Sequence, residues 1–316
     1  MKEEQPPIVS VVVPVYNSHS TIAGCIESIL RQSFAQLELV VVDDGSNDGS
    51  GAICDSYAST DNRILVVHQP NRGRSEARRV GVAHSHGQWV TFVDSDDQLP
   101  PHALDSLYNR ATADVDIVLG DGDSLPQSER RATIAIGDFR HLAVRGEGNI
   151  GVPWGSLYRR SVLKDQFFDL PRDFMMGEDY IFWLRLVFST DRPVNVVSES
   201  VYDKGDDHTS NNFVWTAAYA QRIQDYRMEA IPSREHQAFA EDMLSDRLAN
   251  LWAVATWSPR KDWERSQFYS DIVRDMQQLG KTFSLRQRIF LALPARMLRR
   301  AWTQAGTLAN YIPLKI

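Results

Sequence analysis

The sequence predicts an α/β protein: a mostly parallel central sheet flanked by helices, followed by a helical C-terminal extension. Three observations carry this. Short apolar runs rich in β-branched residues alternate with segments of helical period through the first hundred residues, most of these runs stop at a polar or acidic cluster, and beyond Asn211 the pattern becomes wholly helical. Unbroken apolar runs mark strands covered on both faces. Their alternation with helices marks right-handed βαβ units and a parallel sheet.

The first strand is read at residues 8–13 and ends in Pro14-Val15-Tyr16-Asn17. A helix with Ser20 as N-cap follows, with Ile22, Cys25, Ile26, Ile29 and Leu30 at helical spacing. The second strand, 37–42, ends in Asp43-Asp44-Gly45-Ser46, and a helix carrying Ala52, Ile53, Tyr57 and Ala58 leads to a third strand at 64–67. The loop Asn71-Arg72-Gly73-Arg74-Ser75 opens a helix at 76–84, and a fourth strand, 89–93, runs into Asp94-Ser95-Asp96-Asp97. Another strand is expected near 194–200. Helices follow at 215–230, 235–257 and 262–279, separated by Pro232 and Pro259. The expected organisation is a domain at 1–212, its nucleotide-binding half at 1–100 and its second half at 101–212, and a helical region at 213–316.

Composition narrows the class. Hydrophobic residues are 43% and charged residues 24% of 316, which is ordinary for a globular chain. No apolar run approaches the ~18 residues that cross a bilayer, and the amino terminus does not read as a signal peptide, so the expected compartment is the cytoplasm. Cys25 and Cys54 both fall on helix faces, as reduced core thiols do. Charge is uneven: of 34 bases and 41 acids, the stretch after Asp275 has seven bases and no acid, leaving residues 1–275 strongly acidic. Such a body repels a phosphate backbone, which excludes nucleic acid as the general partner. The tail, with Trp302 among arginines, reads as a basic amphipathic helix that lies on a membrane surface or docks on protein.

The chemistry concentrates where strands end. In an open α/β sheet ligands sit at the carboxyl ends of the strands. Asp94 and Asp96, two residues apart, can share one hard cation, Mn²⁺ or Mg²⁺, with diphosphate oxygens completing its shell. They can equally be solvated acids capping the helix after Pro100-Pro101. Gly73 lets backbone approach a ligand, and Arg78, one turn into the following helix, can reach a base or phosphate or lie on the surface. Neither G-x-G-x-x-G after the first strand nor G-x-x-x-x-G-K-[ST] is present.

Taken together, Pro14-Val15-Tyr16-Asn17, Asp43-Asp44-Gly45-Ser46, Asn71-Arg72-Gly73 with Ala77-Arg78, Phe92-Val93-Asp94-Ser95-Asp96-Asp97, Trp154-Gly155 and Gly177-Glu178-Asp179 resemble, in order and spacing, the motifs of family 2 glycosyltransferases. The resemblance covers roughly residues 8–210. It implies the GT-A fold, inverting transfer from a nucleotide-sugar donor such as a UDP-sugar, and a saccharide or lipid-linked saccharide acceptor. Pro14, Tyr16, Asn17, Asp44, Gly73 and Arg78 would line the donor pocket together with Asp94 and Ser95. Asp94 and Asp96 match the DXD metal motif. Asp179 matches the base that deprotonates the acceptor, and also stands where an acid favours a helix start. Trp154 would floor a sugar site or pack in the core. After the strand near 194–200 this chain departs from the family's Tyr-x-Tyr-Arg-like pattern: Lys204 is the nearest cation, and His208 is either a third metal ligand or an exposed loop residue. Two other readings stand beside this one: an inactive or scaffolding member that only binds nucleotide sugar or a partner enzyme, and a nucleotidyltransferase, which would want a Gly-rich basic loop where Pro14-Val15-Tyr16-Asn17 stands.

Overall fold

Strand β1 (Val9–Val15) is buried at every position, as a β-branched run between two covered faces must be. Strands β2 (Leu37–Asp43) and β3 (Ile64–His68) extend the sheet on one side of it, and β4 (Trp89–Phe92) lies on the other, all parallel. Register pairs Val15 with Asp43 and Val12 with Phe92, so Tyr16, Asp44 and Asp94 leave the sheet along one edge. Four further strands, β5 (Ile117–Leu119), β6 (Thr133–Ile134), β7 (Ser156–Arg159) and β8 (Val194–Val196), complete the order β3-β2-β1-β4-β7-β5-β8-β6. Strand β7 runs antiparallel to β4 and β5, and β6 antiparallel to β8, while β5 and β8 are parallel. The sheet is therefore mixed, with the parallel half at its amino-terminal end. Strands β5, β6 and β7 lie outside the sequence expectation because two to four residues are too short to display a period.

These coordinates are a computed structural model describing residues 6–120, 122–147, 150–174, 176–205 and 213–293. The chain divides into two compact units, Met1–His208 and Thr209–Ile316.

In the first unit, α1 (Ile22–Leu30), α2 (Ser50–Ala58), α3 (Arg74–Ala83), α4 (Ala103–Tyr108), α5 (Ile136–Arg145) and α6 (Glu178–Val187) flank the sheet. Two of them position the site. Helix α3 meets β1 at Gly81, where an added Cβ would come within 2.2 Å of Val12 Cγ1. That close approach carries Arg78, on the same helix face, into the interior at 3% exposure. Helix α6 is held by aromatic packing: Phe182 meets Phe92, Tyr158 and Phe168 with ring centroids 5.8, 5.5 and 5.2 Å apart. Burying Phe182 contributes about 2–3 kcal/mol, and it fixes the helix whose first turn holds Glu178 and Asp179. Cys25 and Cys54 are buried and free.

The second unit is helical: α7 (Ala217–Ala230), α8 (Ala240–Trp257), α9 (Arg260–Trp263), α10 (Gln267–Gln278) and α11 (Leu285–Ala292). Leu248, Leu251, Trp252, Phe268 and Ile272 form its core. Ser266 and Ser284 cap α10 and α11, the latter through a capping box with Gln287. No helix of the described residues is long and apolar enough to cross a membrane. The tail beyond residue 293 and His208 lie outside the described residues.

Candidate active site

Asp94 stands two residues beyond β4, and its backbone N–H donates to the Tyr202 hydroxyl at 2.9 Å. Tyr202 in turn donates to Asp97 Oδ2 at 2.7 Å, and the Gly205 N–H donates to Asp97 Oδ1 at 2.8 Å. Gln98 and Asp203 exchange backbone hydrogen bonds beside them. The segment 202–205 thus clamps the acidic turn from outside. An added Cβ at Gly205 would fall 2.1 Å from the Asp96 carbonyl oxygen, so only glycine fits there. Asp97 is consumed by this clamp, whereas Asp94 and Asp96 keep carboxylate oxygens free of partners among the described residues.

Arg78 connects the two acidic motifs. Its terminal nitrogens donate to Asp94 Oδ1 at 2.9 Å and Asp179 Oδ1 at 2.5 Å. The guanidinium lies 5.9 Å from the centroid of the Phe92 ring. The sequence offered Arg78 a base or a phosphate; in the fold both terminal nitrogens are committed to carboxylates, and Nε is buried without a partner among the described residues. One turn earlier, Arg74 reaches Glu178 Oε1 at 3.4 Å. Two arginines of one helix face therefore meet consecutive acids at the start of α6. Asp179 Oδ2 has no hydrogen-bond partner among the described residues.

The electrostatics divide the acids. Burial alone would raise the Asp94 carboxyl, but Arg78 and Arg74 outweigh it and hold it below the ordinary carboxylate value. Asp96 is raised, by burial and then by the Asp97 charge. Glu178 is pushed up to about 7, by burial and then by Asp179. A raised value marks a carboxylate whose burial and like-charged neighbours outweigh the cations near it. Asp96 and the open Oδ2 of Asp94 are hard oxygen donors of the kind that Mn²⁺ and Mg²⁺ take, and the residues fit such an ion. No group of three or more His, Cys, Asp or Glu is placed to hold a metal among the described residues. One or two carboxylates completed by substrate oxygens is the usual way such ions are held.

A second cluster lies at the ends of β1 and β2. Pro14 is buried in β1, and Tyr16 just beyond it is 50% exposed. Asn17 adopts a positive φ of 52°; its N–H donates to Ser46 Oγ, and its Oδ1 accepts from the Asn47 N–H. Ser95 Oγ lies 2.6 Å from Ser18 Oγ, tying the acidic turn to the same loop. Asp44 is buried and accepts from Gln69 Nε2 and the Arg72 and Gly73 N–H groups at 2.7, 2.8 and 2.8 Å. It shapes the loop that carries Gly73 at a φ of +97° and opens α3. Trp154 packs in the core with Tyr202 stacked on it at 4.4 Å and Lys204 Nζ 4.3 Å from its ring centroid. The sequence reading did not single out Arg74, Gln69 or Tyr202. Only their neighbours in the fold distinguish them from surface or core residues.

A model of glycosyl transferase family 2 matches residues 10–167, half of the chain, and the chain belongs to that family. Glycosyltransferase GlyA of Streptococcus pneumoniae serotype 4 is 31% identical over 286 residues, 82% of this chain and 40% of that protein. The chain spans between 40% and 60% of the length of the first curated relatives it matches. Among solved structures, S. aureus TarS 1–349 in complex with UDP superposes with a TM-score of 0.59 at 20% identity, over 94% of this chain and 91% of that one. Mannosyltransferase PcManGT from Pyrobaculum calidifontis, in complex with GDP-Man and Mn²⁺, gives 0.55 at 20% identity over 98% and 83%. At that identity the likeness is one of fold, the GT-A arrangement of a mixed sheet between helices.

Proposed function

We propose that this family 2 member is an inverting glycosyltransferase that moves a sugar from a nucleotide donor, a UDP-sugar, to a saccharide hydroxyl in the synthesis of a surface polysaccharide or lipid-linked glycan. The observation that carries the reading is the Arg78 bridge. A single displacement needs the base for the incoming hydroxyl and the support for the departing diphosphate on opposite sides of one sugar carbon. Arg78 holds Asp94 and Asp179 in one constellation, as that requires.

In this reading Asp179 accepts the acceptor proton on its open Oδ2 while Arg78 fixes the carboxylate through Oδ1. Tyr16, exposed beyond β1, offers a face for the uracil ring, with Pro14, Asn17 and the Asp44-ordered Gly73 loop around it and Ser95 nearby. Asp96, with Asp94 through Oδ2, would hold Mn²⁺ or Mg²⁺, which when bound neutralises charge on the leaving diphosphate. The UDP of the TarS complex and the Mn²⁺ of the PcManGT complex support the donor class and the ion. His208 remains a candidate third ligand, and Trp154 a candidate wall of the sugar site.

Titrating UDP, GDP and CDP into the protein, with Mn²⁺ and then with EDTA, tests the reading. Metal-dependent binding of UDP is expected. Absence of binding by all three under both conditions would reject the nucleotide-sugar reading in favour of a scaffold.

We also place the protein on the cytoplasmic face of a membrane as a peripheral protein. The support is α11, where Leu285, Ile289 and Leu293 stand 74%, 55% and 38% exposed at four-residue spacing, beside Arg286 and Arg288. Deleting 285–316 should release the protein from vesicles containing phosphatidylglycerol, and retained binding would place the contact elsewhere.

A further inference from the structure

We propose that Arg74 binds the donor's diphosphate, exchanging its ion pair with Glu178 for phosphate oxygens; the proposal rests on the nucleotide-sugar reading above. Three features single out this side chain. Its backbone is fixed, because Asp44 holds the N–H groups of Arg72 and Gly73 immediately before it and α3 begins at Arg74 itself. Its side chain is nevertheless 53% exposed. Among the described residues its single direct partner is Glu178 at 3.4 Å, well beyond the ~2.7–2.9 Å of a committed charge-assisted hydrogen bond. Arg78, one turn on, shows what commitment looks like: it is buried, with two short bonds.

The surroundings set where Arg74 can act. Asp94, Asp179 and Glu178 are the acids whose charges act on its guanidinium, and Asp96 feels it in turn. It therefore stands between the donor motif and the base motif, with most of its five donors unused. The positive end of the α3 dipole lies at the same place and has the same sign. A diphosphate bound at Asp94 and Asp96 through a metal would meet Arg74 as the half-exposed cation of the constellation.

The exchange strands no charge. When Arg74 turns to phosphate, Glu178 keeps Asp179 and Arg78 as its charged neighbours and takes one proton from solvent. Its carboxyl, pushed up to about 7, accepts that proton near neutrality. Ion pair and protonated acid are thus alternative ways of neutralising the same buried group. Arg74 is free to leave because a proton taken from solvent can replace its charge beside Glu178.

The test uses the full chain and three probes, uridine, UMP and UDP, titrated in EDTA at pH 7 so that no metal masks the contribution of Arg74. Arg74→Ala should weaken UDP about tenfold, the scale of one charged hydrogen bond, and leave uridine unchanged. Arg74→Lys should recover part of the loss. Glu178→Gln, which releases Arg74 without removing it, should bind UDP at least as tightly as the wild type. Equal UDP affinity in Arg74→Ala, an equal loss for uridine, or a Glu178→Gln variant that loses UDP as Arg74→Ala does would each overturn the assignment. If the wild type binds UDP neither in EDTA nor with Mn²⁺, the nucleotide-sugar reading itself falls, and the Arg74 assignment with it.

Discussion

Each unit of the molecule buries arginine against aspartate, and the two arrangements differ in how the charges add up. In the helical unit Arg227 pairs with Asp246 and Arg247 with Asp275. Gln224 and Asn250 donate further hydrogen bonds to Asp246. Cations and acids balance there, and amides complete the shell. In the sheet unit Arg74 and Arg78 face Asp94, Asp96, Glu178 and Asp179, two cations against four acids. In the balanced network the charges compensate within the chain, although burial still raises the Asp275 carboxyl above its ordinary value. The unbalanced one is short of positive charge, which in the proposed reading a divalent cation at Asp94 and Asp96 would supply. The same residue types serve packing in one place and, in the proposed reading, chemistry in the other.

Substitutions test this contrast. The largest effect is expected of Asp179→Asn, which should cut transfer by ~10²–10⁴-fold while UDP binding persists; full turnover would remove Asp179 as base. In the helical unit Asp246→Ala should cost about 3–5 kcal/mol of stability in denaturant melts, because it takes the carboxylate from a buried guanidinium. UDP affinity should be untouched by it, and a loss there would blur the distinction between the units. Asp96→Ala should abolish the metal-dependent part of UDP affinity and spare what remains in EDTA; unchanged titrations would refute a ligand role.

The smallest effect concerns pH. Glu178 is raised from 4.5 to about 7, so the folded state binds its proton more tightly than the unfolded chain does. Stability from this group is therefore full below pH 4.5 and is lost as pH rises through 7. Glu178→Gln should accordingly be the more stable protein at pH 8, by on the order of 2 kcal/mol, with the advantage gone at pH 4. An advantage that is constant with pH would mean that Glu178 is not a strained acid, and the contrast between the networks would weaken.

Most of the parallel half was legible in the chain. The runs that became β1, β2 and β4 are continuous, apolar and largely buried, as their composition implies, whereas β3, at the sheet edge, leaves Leu65 40% exposed. The acidic ends of β2 and β4 were visible as carboxylates directly after apolar runs. In the mixed half only β8 was legible, within the strand expected near 194–200: Ile117–Leu119 and Thr133–Ile134 pair with partners far along the chain, and two or three residues carry no period. The helix expected at 235–257 begins at Ala240 after a short turn at Ser233–Glu235, and the one expected at 262–279 is α9 and α10, broken before Ser266, whose hydroxyl caps the second. Apolar spacing continues across both breaks, which is why periodicity alone runs through them.

The sequence by itself determined which acids end the strands, where the family motifs fall, and that an acidic body is followed by a base-rich tail, since each is a property of residue type and spacing along one chain. The tertiary structure decided what Arg78 does. Its partners lie 16 and 101 residues away, and only the approach of α3 to β1 at Gly81, with the aromatic seating of α6, brings one guanidinium within reach of both. It decided as well that Asp97 is an anchor and Asp96 is open, because the segment at Tyr202–Gly205 returns to clamp one carboxylate and leaves the other. Adjacent residues of one type differ in role when a distant strand reaches one of them, and local sequence does not record that distance.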